Sequence, residues 1–106
     1  MDIAELKQIA IDLRLALKKE NVRASLIILF GSQANQTATE NSDIDLAVIS
    51  PDFGNDRFLE GSMLNRIASK INHKIEAIPV SLHSYFDLKS ISPIMNEIVT
   101  KGKVLL

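Results

Sequence analysis

The chain has no cysteine, so disulfide staples and thiolate metal sites are excluded, and a reducing compartment suits it. It also lacks an excess of either charge. Twelve Lys and Arg stand against thirteen Asp and Glu, for a net charge of −1. That balance carries no polyanion-binding footprint, and nonspecific nucleic-acid binding through bulk charge is not expected. No apolar run approaches the roughly 20 residues of a membrane span. The N-terminal stretch MDIAELKQIAIDLRLALKKE carries charges throughout and does not read as a signal peptide. Repeats, linkers and low-complexity segments are missing too. What is present is ordinary for a cytoplasmic globular protein: 106 residues, 46% hydrophobic and 24% charged, enough for one domain over residues 1–106.

Periodicity sets the order of elements. Asp2 is placed to cap a first helix reaching about Glu20, with Ile3, Leu6, Ala10, Leu13 and Leu17 as its buried stripe. Asn21 ends it, and Val22 to Phe30 reads as a strand that is apolar on both faces from Leu26 onward. Gln33 to Ser42 has no apolar period and reads as loop, with a possible helical turn after Ser32. In the second strand, Ile44, Leu46 and Val48 fall on one face, and Asp43, Asp45, Ala47 and Ile49 on the other. A second helix is expected from about Asp56 to Asn72, burying Leu59, Met63, Ile67 and Ile71 and turning Arg57, Asn65, Arg66 and Lys70 to water. A third strand runs from Ile75 to Val80, halted around Pro79. Ser81 could cap a short helix through Asp87, and Ser92-Pro93 opens a last helix that stops at Gly102. Val104 to Leu106 would add a short edge strand. The fold class is α/β (α+β), a small mixed β-sheet flanked by helices, with the first two strands as neighbours.

The chemistry concentrates between Ile27 and Ile49. Residues two apart on a strand point the same way, so the carboxylates of Asp43 and Asp45 converge. Such a pair repels itself, and a divalent cation removes the conflict. Magnesium takes oxygen ligands, commonly one or two carboxylates together with substrate phosphates. Gly31 lets the backbone approach a ligand closely, and the amides after it, with the Ser32 hydroxyl, could donate to phosphate oxygens. An ordinary turn and a solvated strand start would explain either half alone. The joint pattern arises by chance in roughly one chain in a thousand of this length.

Gly31-Ser32, ten residues, then Asp43-x-Asp45 resembles the GS-x10-DxD pattern of the DNA polymerase beta-like nucleotidyltransferase superfamily. The surrounding LFGSQA and NSDIDLAV look like its minimal nucleotidyltransferase (MNT) branch, and the resemblance covers nearly the whole chain. It implies that Gly31 and Ser32 hold a nucleoside triphosphate and that Asp43 and Asp45 chelate magnesium. It also implies a third carboxylate on a later strand, which by position is Glu76, as metal ligand or base. The chain departs from the family where Ala-Arg-Gly is usual: Ala34, Asn35 and Gln36 stand there. The arginine's cationic contact and the glycine's left-handed turn are both missing.

The resemblance therefore implies a magnesium-dependent transfer of AMP from ATP to a hydroxyl, the acceptor being a tyrosine of a helical HEPN-family partner in a toxin–antitoxin pair. The chain would then work within a homo- or hetero-oligomer. The alternative is an MNT-fold antitoxin with a weak or dead site that neutralises its partner by binding, which the Asn35-Gln36 departure favours. Transfer to a small-molecule hydroxyl usually needs a further domain. Among the remaining residues, Asp52-Phe53-Gly54 reads as loop despite spelling a kinase motif. His73 and His83 lack metal-ligand spacing and read as structural or surface residues. Lys74 and Arg57 are within conceivable reach of a phosphate, with surface solvation the favoured reading.

Overall fold

A strand with large apolar residues on both faces needs cover on both sides, and the two central strands of this chain are of that kind. In a computed structural model of the chain, which describes residues 1–87 and 92–106, helices supply that cover. The elements are α1 (Ile3–Lys19), β1 (Leu26–Phe30), α2 (Gly31–Ala34), β2 (Ile44–Ser50), α3 (Arg57–Ile71), β3 (Ile75–Ser81), α4 (Leu82–Phe86), α5 (Pro93–Lys101) and β4 (Lys103–Val104). The sheet order is β3-β2-β1-β4. β1 pairs antiparallel with β2 and β4, and β2 pairs parallel with β3, as a crossover through α3 requires. The mixed sheet and the adjacency of the first two strands match the sequence reading.

The alternation along β2 sorts the core into two layers. Ile44, Leu46 and Val48 join Ile27 and Leu29 under α1 and α3, where Leu6, Ala10, Leu13, Leu17, Leu64, Ile67 and Ala68 are buried. Ala47 and Ile49 join Ile28, Phe30 and Val80 on the opposite face, under Ile98 of α5 and Leu82 and Tyr85 of α4. Ile3, expected in the buried stripe of α1, is instead exposed.

Several expected boundaries move, each for a local reason. Val22 to Ser25 is not strand. Asn21 takes a left-handed φ of 61°, and the amides of Asn21 and Val22 donate to the carbonyls of Lys18 and Leu17, closing α1 with a Schellman motif. The segment beyond is then fastened by the Arg14 guanidinium, which donates to the carbonyls of Ala24 and Ser25 at 3.0 and 3.1 Å. The last strand is Lys103–Val104 rather than Val104 to Leu106. β3 does not halt at Pro79 but continues to Ser81. It is an edge strand, and an edge position tolerates a residue without an N–H.

The α3 stripe is rotated from its expected position. Leu64, Ile67 and Ala68 are buried, Met63 and Ile71 are half-buried, and Leu59 is exposed. Leu59 lies about 140° around the helix from Leu64. Asn65, expected in water, is half-buried and grips β3: its amide group donates to the Ala77 carbonyl at 2.7 Å, and its Oδ1 accepts from the Ala77 N–H at 2.8 Å.

Asp52-Phe53-Gly54 is structural. Phe53 is buried in the core, and the amides of Gly54 and Asn55 donate to the Glu60 carboxylate at 3.0 and 3.1 Å. Asp52 accepts from the backbone N–H, Nε and Nη2 of Arg23 at 2.8, 3.1 and 2.8 Å. These donors hold its carboxyl down at about 2. A carboxylate lowered by folding contributes stability that is present above its unfolded value, near 4, and lost as pH falls toward 2. Thermal melts from pH 7 to pH 2 should therefore show Asp52→Asn less stable than the parent at neutral pH, with the two curves meeting near pH 2.

Candidate nucleotide and metal site

β1 stops where the chain must turn, and glycine is the residue that can make this turn. Gly31 has φ +72°, a left-handed conformation that side chains resist. A Cβ built on it would fall onto the Asp45 carboxylate. Gly31 thus brings the backbone directly against the second aspartate. The contact follows from register, since Phe30 pairs with Asp45 across the antiparallel ladder. Ser32 and Gln33 continue into the single turn of α2, whose first amides have no partners within the helix.

Asp45 also pairs in register with Glu76 on β3, and paired residues share a face of the sheet. Both lie on the face that carries Phe30, Ala47 and Ile49, at the end of the sheet that starts β2 and β3. Asp43 is not in the strand as expected. It precedes Ile44, exposed, and it still contributes to the field at Asp45. The Asp45 carboxyl is raised from its ordinary value, first by partial burial and then by the charges of Glu76, Asp43 and Glu97. Glu97 comes from α5 and was not a candidate in the sequence, because no spacing rule links a late helix to a strand start.

Among the described residues no group of three His, Asp or Glu side chains is arranged to hold a metal ion. Among the described residues no lysine or arginine forms an ion pair with Asp43, Asp45 or Glu76. Asp45, level with Glu76 across the sheet and in the field of Asp43, offers oxygen donors of the kind a hard divalent cation takes. Magnesium needs only one or two such carboxylates when phosphates and water complete its shell. Asp43 and Asp45 are the residues that would hold it, with Glu76 beside them. His73 and His83 are exposed and outside this group, and Arg57 is exposed at the start of α3.

The Asn35-Gln36 departure has a definite conformation. The amides of Asn35 and Thr37 donate to the carbonyls of Gly31 and Ser32, ending α2 with Gln36 at φ 60°. This is the helix-ending position that favours glycine, and a residue with a side chain costs about 1 kcal/mol there. Gln36→Gly should raise the melting temperature by about 4 °C, measured by calorimetry. Lys74, which the sequence reading turns to solvent, instead donates from Nζ to the Glu40 carbonyl in the loop between the two halves of the motif.

Residues 11–106 match the family model described as Polymerase beta, Nucleotidyltransferase. The protein adenylyltransferase MntA of Shewanella oneidensis is 32% identical over 91 residues, which are 84% of this chain and 59% of that protein, so the match spans under two thirds of the relative's length. A solved toxin–antitoxin structure with AMP-PNP aligns at a TM-score of 0.62 and 27% identity, covering 94% of this chain and 72% of its own. The chain also aligns at a TM-score of 0.50 and 24% identity with a structure of a tri-AMPylated Shewanella oneidensis HEPN toxin in complex with MNT antitoxin. That alignment covers 92% of this chain and 71% of the other, and it is a likeness of fold alone. With the family model spanning both β1-β2 and β3, the chain belongs to the polymerase beta nucleotidyltransferase family.

Proposed function

We propose that this chain is a magnesium-dependent nucleotidyltransferase that moves AMP from ATP to a hydroxyl, a tyrosine of a HEPN-family toxin partner, as the antitoxin of the pair. The observation that supports the reading is the close approach of Gly31 to Asp45, which sets the turn after β1 directly against one of the two aspartates. The relative named a protein adenylyltransferase and the toxin–antitoxin neighbour with AMP-PNP support the choice of adenylate and of a toxin partner.

In this reading the free amides after Gly31 and the Ser32 hydroxyl donate to the triphosphate and hold its α-phosphorus in line with the incoming oxygen. Asp43 and Asp45 hold the metal, which when bound neutralises charge on the phosphates. Glu76, exposed beside Asp45, takes the proton of the acceptor hydroxyl. The new bond joins the acceptor oxygen to the α-phosphorus. The bond to the bridging oxygen of the β-phosphate breaks, and pyrophosphate leaves with its electron pair. The partner supplies the acceptor.

The test is incubation with magnesium, α-labelled ATP and the helical protein encoded beside it. Label on a partner tyrosine is the expected result, and no label on any protein overturns the reading. A second reading, neutralisation by binding with a feeble site, is favoured by the strained Gln36. It predicts that neutralisation survives Asp43→Ala with Asp45→Ala.

A further inference from the structure

The first aspartate of the pair lies outside the strand, where no ladder hydrogen bond fixes it. What surrounds it is a short polar turn. The Thr39 amide donates to the Ser42 hydroxyl at 2.8 Å, and the Ser42 amide donates to the Thr39 carbonyl at 3.1 Å. Glu40 sits in that turn, and its carbonyl receives the Lys74 ammonium. On the other side of Asp43, the Ile44 amide donates to the Lys74 main-chain carbonyl at 2.8 Å. Lys74 therefore grips the chain both before and after Asp43. Its own amide is tied to Asn72 Oδ1 at 2.9 Å, so the grip rests on a fixed base. Two residues on lies Glu76, level with Asp45.

We infer that Lys74 is a positioning residue that sets Asp43 relative to Asp45 by bracketing it from the neighbouring strand. The ammonium is spent on the Glu40 carbonyl rather than on the carboxylates, so it fixes the loop without neutralising the site. A hydrogen bond from a charged donor to a carbonyl is strong enough to hold an exposed turn that has few other ties. The functional consequence rests on the nucleotidyltransferase reading; the bracket itself does not.

Lys74→Met keeps the length of the side chain and removes the donor, and Lys74→Arg keeps a donor. Hydrogen exchange on the ligand-free protein reads the bracket. In Lys74→Met the Thr39 and Ser42 amides should exchange about tenfold faster, with Leu46 and Val48 unchanged, and Lys74→Arg should restore most of the protection. Unchanged exchange at Thr39 and Ser42 overturns the inference. Binding of ATP with magnesium reads the consequence. Lys74→Met should weaken it about tenfold, and should add nothing once Asp43→Asn is in place, because both changes act through one carboxylate. Additive losses would mean that Lys74 meets the nucleotide itself, which also overturns the inference. If the unaltered protein binds no magnesium–ATP, the proposed function fails, and exchange at Thr39 and Ser42 still decides the bracket.

Discussion

Replacing Asp45 by asparagine is expected to abolish AMP transfer, by about a thousandfold or more, while leaving the fold as stable as before or more so. The two effects come from the same carboxylate. Asp45 is half-buried, faces Glu76 in the next strand, and lies in the field of Asp43 and Glu97. Burial and like charge both oppose its ionised form, so in the absence of a cation the charge is a burden on the fold. Asparagine has nearly the same shape and no charge, and it relieves the repulsion. It also lacks the charge needed to bind a hard cation, and about 4 kcal/mol of lost transition-state stabilisation corresponds to the thousandfold loss. Labelled-ATP transfer and thermal melts on the same preparation test both halves. Transfer within tenfold of the parent would remove Asp45 from the chemistry. A drop of several degrees in melting temperature would mean that the carboxylate has a structural partner.

The parts of this site that could be read in the sequence were those set by short-range geometry. A period of two along Ile44 to Ile49 separated the two core faces correctly, because side-chain direction in a strand depends on nothing beyond the strand. The family resemblance implies a third carboxylate on a later strand, Glu76 by position, and the parallel register sets that residue level with Asp45. Readings that depended on how elements dock went astray. In α3 the expected buried face is a strict four-residue row, but such a row winds about 40° around the helix at each step. The face that meets the sheet is instead the one carrying Leu64, Ile67 and Ala68, with Asn65 turned in to bond Ala77. Val22 to Ser25 leads straight into the apolar run and reads as strand, yet the left-handed Asn21 and the Arg14 hydrogen bonds to Ala24 and Ser25 engage its backbone elsewhere. Glu97 and Lys74 reach their neighbours only through the tertiary fold.

Gly31→Ala is expected to be the most damaging single methyl that can be added to this chain's site, lowering stability by about 3 kcal/mol and eliminating transfer. Two separable costs make up that figure. A left-handed φ of +72° costs a residue with a side chain about 1 kcal/mol or somewhat more. The added Cβ then meets the Asp45 carboxylate, and forcing an extra carbon into a filled space costs a further 1–3 kcal/mol, or about 2 here. For a domain of this size the sum should lower the melting temperature by more than about 10 °C. The second cost has a specific remedy. Shortening Asp45 to alanine withdraws the carboxylate from the space the new methyl needs. The double variant Gly31→Ala with Asp45→Ala should therefore regain most of the lost stability, leaving about the 1 kcal/mol of backbone strain. Transfer should not return, since the aspartate proposed to hold the metal has gone. Urea unfolding of the two single variants and the double variant measures the coupling. If the double variant is as unstable as the sum of its parts, Gly31 and Asp45 are not in contact, and the turn and the carboxylates do not form one site.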